Sequence, residues 1–450
     1  MTAREAAFVS LQKYENNKKF ANIEADTAIR RNGLEGADKA LYTSIFYGTV
    51  ERRITLDYII DRLCDRKREI DANVRIILRL SLYQMRYLDR VPDYAIVNDA
   101  AELCKRFAAK SAVAFVNAVL HAYRREEKRL KFPDAKVEPY RYLSVTYAYP
   151  EWLCQMWTEM YGYEKAEAIF RAFDENPPIT LRINTLKTDA ETLGEKFRAK
   201  TVGFRPTAYV PNGFRLTGHL PIDEIPGFAE GECFVQDEAS QIAAYVLGAQ
   251  KGEFIIDACS CPGGKSFSTA LWMENEGKIL SCDLHKNKLK LVSEGAEKLG
   301  ISVIETKEQN GSVFVPEYEG KADRVLCDVP CSGLGVLSKK PDIRHKTQDE
   351  IERLPDIQYA ILENCARYVK DGGILVYSTC TLNRAENEDN VNQFLAAHPE
   401  FEAVPFTVGA KTIEDGMISL FPDEYRGCDG FFVAKLRRVR GSSSERNNHE

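Results

Sequence analysis

The stretch FIIDACSCPGGK, residues 254–265, decides the fold of the second half of the chain. An apolar run that ends in an aspartate predicts a buried strand, and Pro-Gly-Gly predicts a tight turn into a helix. Strand and helix patterns then alternate, which is typical of a parallel, doubly wound α/β sheet. The predicted strands are FIIDA (254–258), KILSCD (278–283), ISVIE (301–305), DRVLCD (323–328), GILVYS (373–378) and GFFVAKLRR (430–438), and the predicted helices cover 264–274, 286–299, 349–370 and 386–397.

The rest of the chain predicts further domains. Residues 1–130 are expected to be almost wholly helical, because apolar residues recur every three or four positions, and Pro92 separates two of the helices. Residues 131–235 mix prolines with short alternating runs and predict a short helical linker followed by a small α+β module. The α/β domain covers 236–436, and the polar residues 437–450 are expected to be a disordered tail.

Composition limits the possible partners. The 450 residues carry a net charge of −6, yet residues 1–131 hold 25 Lys and Arg against 18 Asp and Glu. A basic front end favours contact with a polyanion such as RNA, although a solvated helical surface gives the same excess. No apolar run reaches the length of a membrane span and no signal peptide is evident, so a cytoplasmic protein without a membrane partner is expected. The 12 cysteines show no zinc-ligand spacing, and no metal site is expected.

The turn after the first α/β strand is a candidate cofactor site. Its glycines let the backbone approach a ligand, and the first amides of the following helix are available as donors. A Walker A loop is excluded because Cys259 stands where its first glycine is required, and no G-x-G-x-x-G fingerprint is present. The next strand ends at Asp283, where doubly wound sheets place an acid that accepts from ribose hydroxyls. An adenosyl ligand therefore fits better than a dinucleotide.

Two later strand ends carry thiols. Asp328 and Cys331 follow one strand, and Cys380 follows the next. If these strands are parallel neighbours, both thiols lie at the carboxyl edge of the sheet, where ligands bind. Two thiols suit methylation of cytosine at C5: a thiolate that adds to C6 makes C5 nucleophilic, a carboxyl group can contact N3, and a second thiol can assist the elimination. The residues alone leave the thiol roles interchangeable, and the alternative is two buried structural cysteines.

These motifs resemble the RNA 5-methylcytosine methyltransferases related to NOP2 and Sun. The resemblance rests on Pro-Gly-Gly-Lys, Asp-x-Pro-Cys-Ser-Gly and Ser-Thr-Cys-Thr, supported by Glu386-Asn387-Glu388. It implies S-adenosylmethionine as the cofactor and Cys380 as the nucleophile. It also implies that Cys331 assists product release and that Asp328 contacts the cytosine ring. The cofactor contacts that it implies are Cys259, Ser260, Cys261, Pro262, Gly263, Gly264, Lys265, Asp283, Asn310 and Asp328. Two departures are Ser260-Cys261 for the usual Ala-Ala and Asn310 for an Asp; the Asn carbonyl can still accept from the adenine amine, so binding, weaker at most, is expected.

Residues 79–123 resemble the NusB-type RNA-binding fold. The matching residues are Ile96, Asn98, Ala100, Glu102, Leu103, Phe107, Phe115, Asn117 and Leu120. The whole chain is thus expected to be multidomain: an all-α NusB-like domain, a small α+β module and a Rossmann-like methyltransferase domain. The combination implies rRNA processing, with 16S ribosomal RNA as the substrate and a monomer assumed. The alternatives are the same chemistry on another rRNA or tRNA site, or a non-catalytic RNA-binding assembly factor, which the two retained cysteines disfavour.

Overall fold

The computed structural model describes residues 1–17, 21–64, 69–218 and 220–439, which divide into two units. One unit consists of residues 1–175 together with 337–346, and the other contains 176–336 and the chain from 347. Within the described ranges, no helix is long and apolar enough to cross a membrane. The same ranges hold no group of three or more His, Cys, Asp or Glu side chains that could bind a metal ion.

The first unit is helical, as the periodicity predicts. Its first seven helices share one apolar core that runs from Ala3 to Tyr123. Pro92 stands at the N-cap of the sixth helix and separates it from the fifth. The helices are α1 (Ala3–Asn17), α2 (Ala21–Asn32), α3 (Gly36–Glu51), α4 (Arg53–Leu63), α5 (Ala72–Tyr87), α6 (Asp93–Phe107), α7 (Ala112–Glu126), α8 (Pro139–Tyr147), α9 (Glu151–Tyr161) and α10 (Tyr163–Phe173).

Three of these helices, α8–α10, occupy the region predicted to begin as a short linker. They belong to the helical unit because they bury apolar and polar groups there. The Thr55 hydroxyl of α4 donates to the Val145 carbonyl of α8 at 2.6 Å, and the Trp157 and Phe170 rings stack with centroids 4.9 Å apart. The segment 337–346, which contains a 3-10 turn at Pro341–His345, is part of the same unit.

The second unit begins with a small antiparallel sheet, which confirms an α+β module. The strand order is β2-β3-β1-β4, and Phe197 of the helix packs on Phe214 of the sheet. The run TLRI, residues 180–183, forms β1. The elements are β1 (Thr180–Ile183), α11 (Ala190–Ala199), β2 (Phe204–Pro206), β3 (Gly213–Leu216) and β4 (Cys233–Val235).

A larger α/β sheet follows, with strand order β10-β14-β9-β8-β5-β6-β7 and with β13 paired to β14. Its elements are α12 (Glu238–Leu247), β5 (Phe254–Asp257), α13 (Gly264–Trp272), β6 (Lys278–Asp283), α14 (Lys286–Leu299), β7 (Ile304–Glu308), β8 (Ala322–Asp328), α15 (Leu354–Tyr368), β9 (Val369–Thr379), α16 (Glu388–Ala397), β10 (Phe401–Ala403), β11 (Phe406–Val408), β12 (Lys411–Ile413), β13 (Met417–Leu420) and β14 (Phe431–Arg438). Strands β6 and β8 flank β5 on opposite sides, so the chain reverses its order there. Such a switch point opens a crevice at the carboxyl ends of the strands.

Three expectations about this sheet need correction. Strands β5 to β9 are parallel, but β14 is antiparallel to β9 because it arrives from its antiparallel neighbour β13 without a crossover helix. Strand β7 begins at Ile304 rather than Ile301, since the Ile301 amide bonds back to the Ala296 carbonyl and closes the end of α14. Strand β14 includes Arg437 and Arg438, in agreement with the predicted strand 430–438, and these two residues therefore do not belong to the tail predicted for 437–450, because they pair with β10. Residues 440–450 of that tail lie outside the described residues.

Candidate active site

Cys331 and Cys380 follow the ends of two neighbouring parallel strands. In the register of β8 and β9, Asp328 lies opposite Ser378. The two sulfur atoms are 3.2 Å apart. The structure thus brings together two thiols that are separated by almost fifty residues in sequence, at the carboxyl edge of the sheet.

The surroundings of Cys331 favour its protonated form. Hydrogen bonding to Cys380 and burial raise the pKa of the Cys331 thiol well above its ordinary value. A thiol of this kind keeps its proton at neutral pH, whereas the nucleophile in thiol chemistry is the thiolate. Cys331 is therefore suited to donating a hydrogen bond rather than to attacking.

Asp328 is oriented by two hydrogen bonds. One carboxylate oxygen accepts from the Lys265 ammonium at 2.7 Å, and the other accepts from the Ser378 hydroxyl at 2.7 Å. Burial alone would lower the pKa of Lys265, but the adjacent Asp328 carboxylate outweighs burial and leaves that pKa raised. Lys265 therefore stays charged, and it joins the glycine-rich turn to the end of β8.

The glycine-rich turn is tied to the end of β6. Both the amide and the hydroxyl of Ser260 donate to the Cys282 carbonyl, at 2.8 and 3.0 Å. Gly263 has a φ of +111°, and a Cβ there would clash with the Phe267 ring. This position therefore requires a residue without a side chain. Helix α13 begins at the next residue, and its first amides have no intrahelical acceptors.

Asp257, at the end of β5, is a buried acid beside this turn for which the sequence motifs predict no role. It accepts from the Ser266 hydroxyl at 2.6 Å, and Ser266 also contacts the Ser281 hydroxyl at 2.8 Å. Burial raises the pKa of Asp257 to about 7, although the Ser266 hydrogen bond opposes that shift. The available signal was its position, since β5, β6 and β8 all end in an aspartate.

Asp283 is the last residue of β6, and Asn310 lies two residues after the end of β7. The two strand ends are joined by a hydrogen bond from the Gln309 amide to the Asp283 carbonyl at 3.0 Å. The Asp283 carboxylate accepts from the His285 amide at 2.8 Å, which leaves it capacity for further donors. The Asn310 side-chain oxygen accepts from both the amide and the hydroxyl of Ser312, at 3.0 and 2.9 Å. These two bonds engage the side-chain carbonyl within its own turn, and its contact with an adenine amine stays a prediction.

Comparison with known proteins gives matches for three parts of the chain. Three family models match: the NusB family over residues 1–125, an RsmF/B-like ferredoxin-like domain over 149–223, and the 16S rRNA methyltransferase RsmB/F over 244–437. The probable ribosomal RNA small subunit methyltransferase B of Bacillus subtilis is 36% identical over 97% of this chain and 99% of its own length. The chain belongs to the RsmB/F family of 16S rRNA methyltransferases.

Other members and neighbours of the RsmB/F family give the same result. The corresponding protein of Synechocystis is 35% identical over 98% of this chain and 100% of its own length. A solved methyltransferase homolog from Pyrococcus horikoshii has a TM-score of 0.58 and 28% identity, and the match covers 66% of this chain and 98% of that one. The predicted NusB-like front end and the predicted methyltransferase fold are thereby confirmed.

Proposed function

We propose that this RsmB/F member transfers a methyl group from S-adenosylmethionine to C5 of a cytosine in 16S rRNA. The observation that carries the proposal is the pair of thiols 3.2 Å apart, beside the oriented carboxylate of Asp328. Neither a structural disulfide nor a lone buried cysteine requires a neighbouring carboxylate and lysine. Addition of a thiolate to a pyrimidine ring, followed by its release, uses all of these groups.

The turn of β5 fits the proposed cofactor. The bare backbone at Gly263 and the first amides of α13 admit a ligand closely, and Asp283 keeps capacity to accept from ribose hydroxyls. When bound, S-adenosylmethionine would supply an electrophilic methyl group. Lys265, which joins this turn to Asp328, couples the cofactor side of the site to the base side.

The proposed chemistry begins with Cys380. Its thiolate adds to C6 of the cytosine and the S–C6 bond forms. The electron pair of the C5–C6 double bond is then shared between C5 and N3. The ring takes up a proton from water at N3, which neutralises the negative charge of the adduct. Asp328, held by Lys265 and Ser378, accepts a hydrogen bond from this N3–H. C5 then carries enough electron density to take the methyl group.

Release reverses the addition. The C5 proton passes to water, and its bonding pair restores the C5–C6 double bond. The S–C6 bond breaks, its electron pair returns to the sulfur of Cys380, and the N3 proton returns to water. The protonated Cys331 thiol lies 3.2 Å from that sulfur and donates a hydrogen bond to the leaving thiolate. The target base must leave its stack to reach both thiols, so the cytosine is presented unpaired or flipped.

The front end is the proposed RNA-contacting part. The side chains of Arg125 and Lys128, at the end of α7 and in the turn after it, are exposed. They belong to residues 1–131, which carry an excess of basic residues, and the NusB family model matches residues 1–125 of this segment. Basic groups that meet phosphates release counterions and strengthen association with RNA.

Exchange of each thiol separates the two roles. Cys380→Ala should abolish both methylation and any covalent link to RNA, because the C6 adduct cannot form. Cys331→Ala should methylate once and then stay attached to RNA through a denaturing gel. Cys64→Ala, in the helical unit, is the control and should behave as the unmodified chain. Trapping by Cys380→Ala would reverse the roles, and full activity of both variants would refute the covalent route.

The substrate is tested in cells. RNA from cells with and without this protein should differ at one 5-methylcytosine of 16S rRNA, as mapped by bisulfite sequencing. Disappearance of the modification from a tRNA or from another rRNA would replace the proposed substrate while leaving the chemistry in place.

A further inference from the structure

Two adjacent side chains beside the thiol pair have no role in the chemistry above. Glu386 ends a 3-10 turn at Arg384–Glu386, between β9 and α16, and Asn387 follows it. Both residues are completely buried. Burial of a carboxylate is unfavourable unless hydrogen bonds stabilise it, so the groups that Glu386 contacts indicate its role.

Glu386 holds the chain on one side of Cys331. One of its oxygens accepts from the Ser332 amide at 2.8 Å and from the Gln358 side-chain amide at 2.8 Å. The same Gln358 nitrogen donates to the Pro330 carbonyl at 3.0 Å. The backbone is therefore fixed immediately before and immediately after the cysteine.

Asn387 holds the other cysteine in the same way. Its oxygen accepts from the Thr379 hydroxyl at 2.6 Å, and its nitrogen donates to the Thr381 carbonyl at 3.0 Å. These two threonines flank Cys380. A contact of 2.7 Å between the hydroxyls of Ser332 and Thr381 joins the two cysteine segments. The distance between the sulfurs is thus set by a network that Glu386 and Asn387 anchor.

The charge of Glu386 is not cancelled by its donors. The Ser332 amide, the Gln358 amide and the Asn383 amide, the last at 3.0 Å, are all neutral groups. After hydrogen bonding to Cys380 and burial, the Glu386 carboxylate contributes to the raised pKa of Cys331. A glutamine in the same place would keep an acceptor for Ser332 but would remove that field.

We propose that Glu386 is the positioning residue that makes the two thiols different: its carboxylate is bonded to the segment of Cys331, whereas the neutral Asn387 is bonded to the segment of Cys380. The negative charge therefore acts on Cys331, and Cys380 is left as the attacking thiol. The assignment of attack to Cys380 rests on the proposed function. The difference in ionisation between the thiols is a property of the protein alone, and it can be measured without RNA or a methyl donor.

The test uses the full chain with Glu386→Gln. Initial rates of iodoacetamide labelling are followed from about pH 5 to 11, and peptide mass spectrometry reports each thiol separately. In the unmodified chain, Cys380 should label at lower pH than Cys331. In E386Q, the midpoint for Cys331 should fall by about one pH unit, as expected for loss of a nearby like charge. The matched control is E388Q, an adjacent carboxylate that instead accepts from the Ser419 hydroxyl at 2.8 Å; its midpoints should not move.

An unchanged Cys331 midpoint in E386Q would overturn the proposal, whether or not the chain is a cytosine methyltransferase. If E386Q does not fold, Gln358→Met replaces it: loss of this donor leaves the charge less screened, so the Cys331 midpoint should rise, and a fall would contradict the proposal. In a methylation assay, E386Q should lower kcat about tenfold and change the KM for RNA less than about twofold. A change confined to KM would instead make Glu386 an RNA-binding residue.

Discussion

The free energy of unfolding of the helical unit should decrease when the pH falls from 7.5 to 5, because of His345. Its ring nitrogen lies 2.9 Å from the Val50 carbonyl, and its ring meets Tyr14 edge to face with centroids 6.3 Å apart. Burial, followed by the nearby Arg53 and Arg344 charges, lowers the pKa of His345 from 6.5 to about 3. The folded chain therefore holds a neutral imidazole that the unfolded chain protonates.

The magnitude follows from proton linkage. Because the folded pKa is depressed, this contribution is fully present above about pH 6.5 and is lost as the pH falls toward 3. At pH 5 the solution is about 1.5 pH units below the pKa of 6.5 that His345 has in the unfolded chain, so the imidazole is protonated there. With about 1.36 kcal/mol per unit, the loss is about 2 kcal/mol.

The assay compares the unmodified chain with His345→Gln, which keeps an N–H donor for the Val50 carbonyl but does not titrate. Urea unfolding at pH 7.5 and 5 is followed by tryptophan fluorescence, since two tryptophans lie in α9. Between the two pH values the unmodified chain should lose about 2 kcal/mol more than H345Q. His121→Gln, an exposed histidine of α7, should behave as the unmodified chain. Parallel losses in the unmodified chain and H345Q would refute the argument.

Two further predictions concern the cofactor and the RNA. In a calorimetric titration, Asn310→Asp should bind S-adenosylmethionine about three- to tenfold more tightly, because one carboxylate oxygen can keep the Ser312 contacts while the other accepts from the adenine amine. Asp283→Ala should weaken binding in the same titration. Equal affinity of the unmodified chain and both variants would place the cofactor elsewhere. Arg125→Glu with Lys128→Glu should weaken RNA binding and reduce the slope of log affinity against log salt by about two, since two phosphate contacts are lost; an unchanged slope would remove this surface from the RNA interface.

Much of the fold could be predicted from local patterns. Strand β6 and helix α14 have the bounds that the sequence predicts, because an aspartate ends one and Gly300, with its positive φ, ends the other. The helical front end was equally clear from its periodicity. The antiparallel direction of β14 was missed because it depends on the neighbouring strand β13. The packing of α8 could not be predicted locally either, since Thr55, about ninety residues away from Val145, bonds to it.

The sequence by itself determined which groups stand at the ends of buried strands: two cysteines, an aspartate and a glycine turn. Strand ends and turns can be predicted from adjacent residues. Only the tertiary structure decided how those groups act on one another. The 3.2 Å between the sulfurs, the Lys265–Asp328 ion pair and the attachment of Glu386 to Ser332 all join residues about fifty or more positions apart. Their distances follow from strand pairing and burial across the sheet, and the pKa of a thiol or carboxyl group is set by such neighbours rather than by its place in the chain.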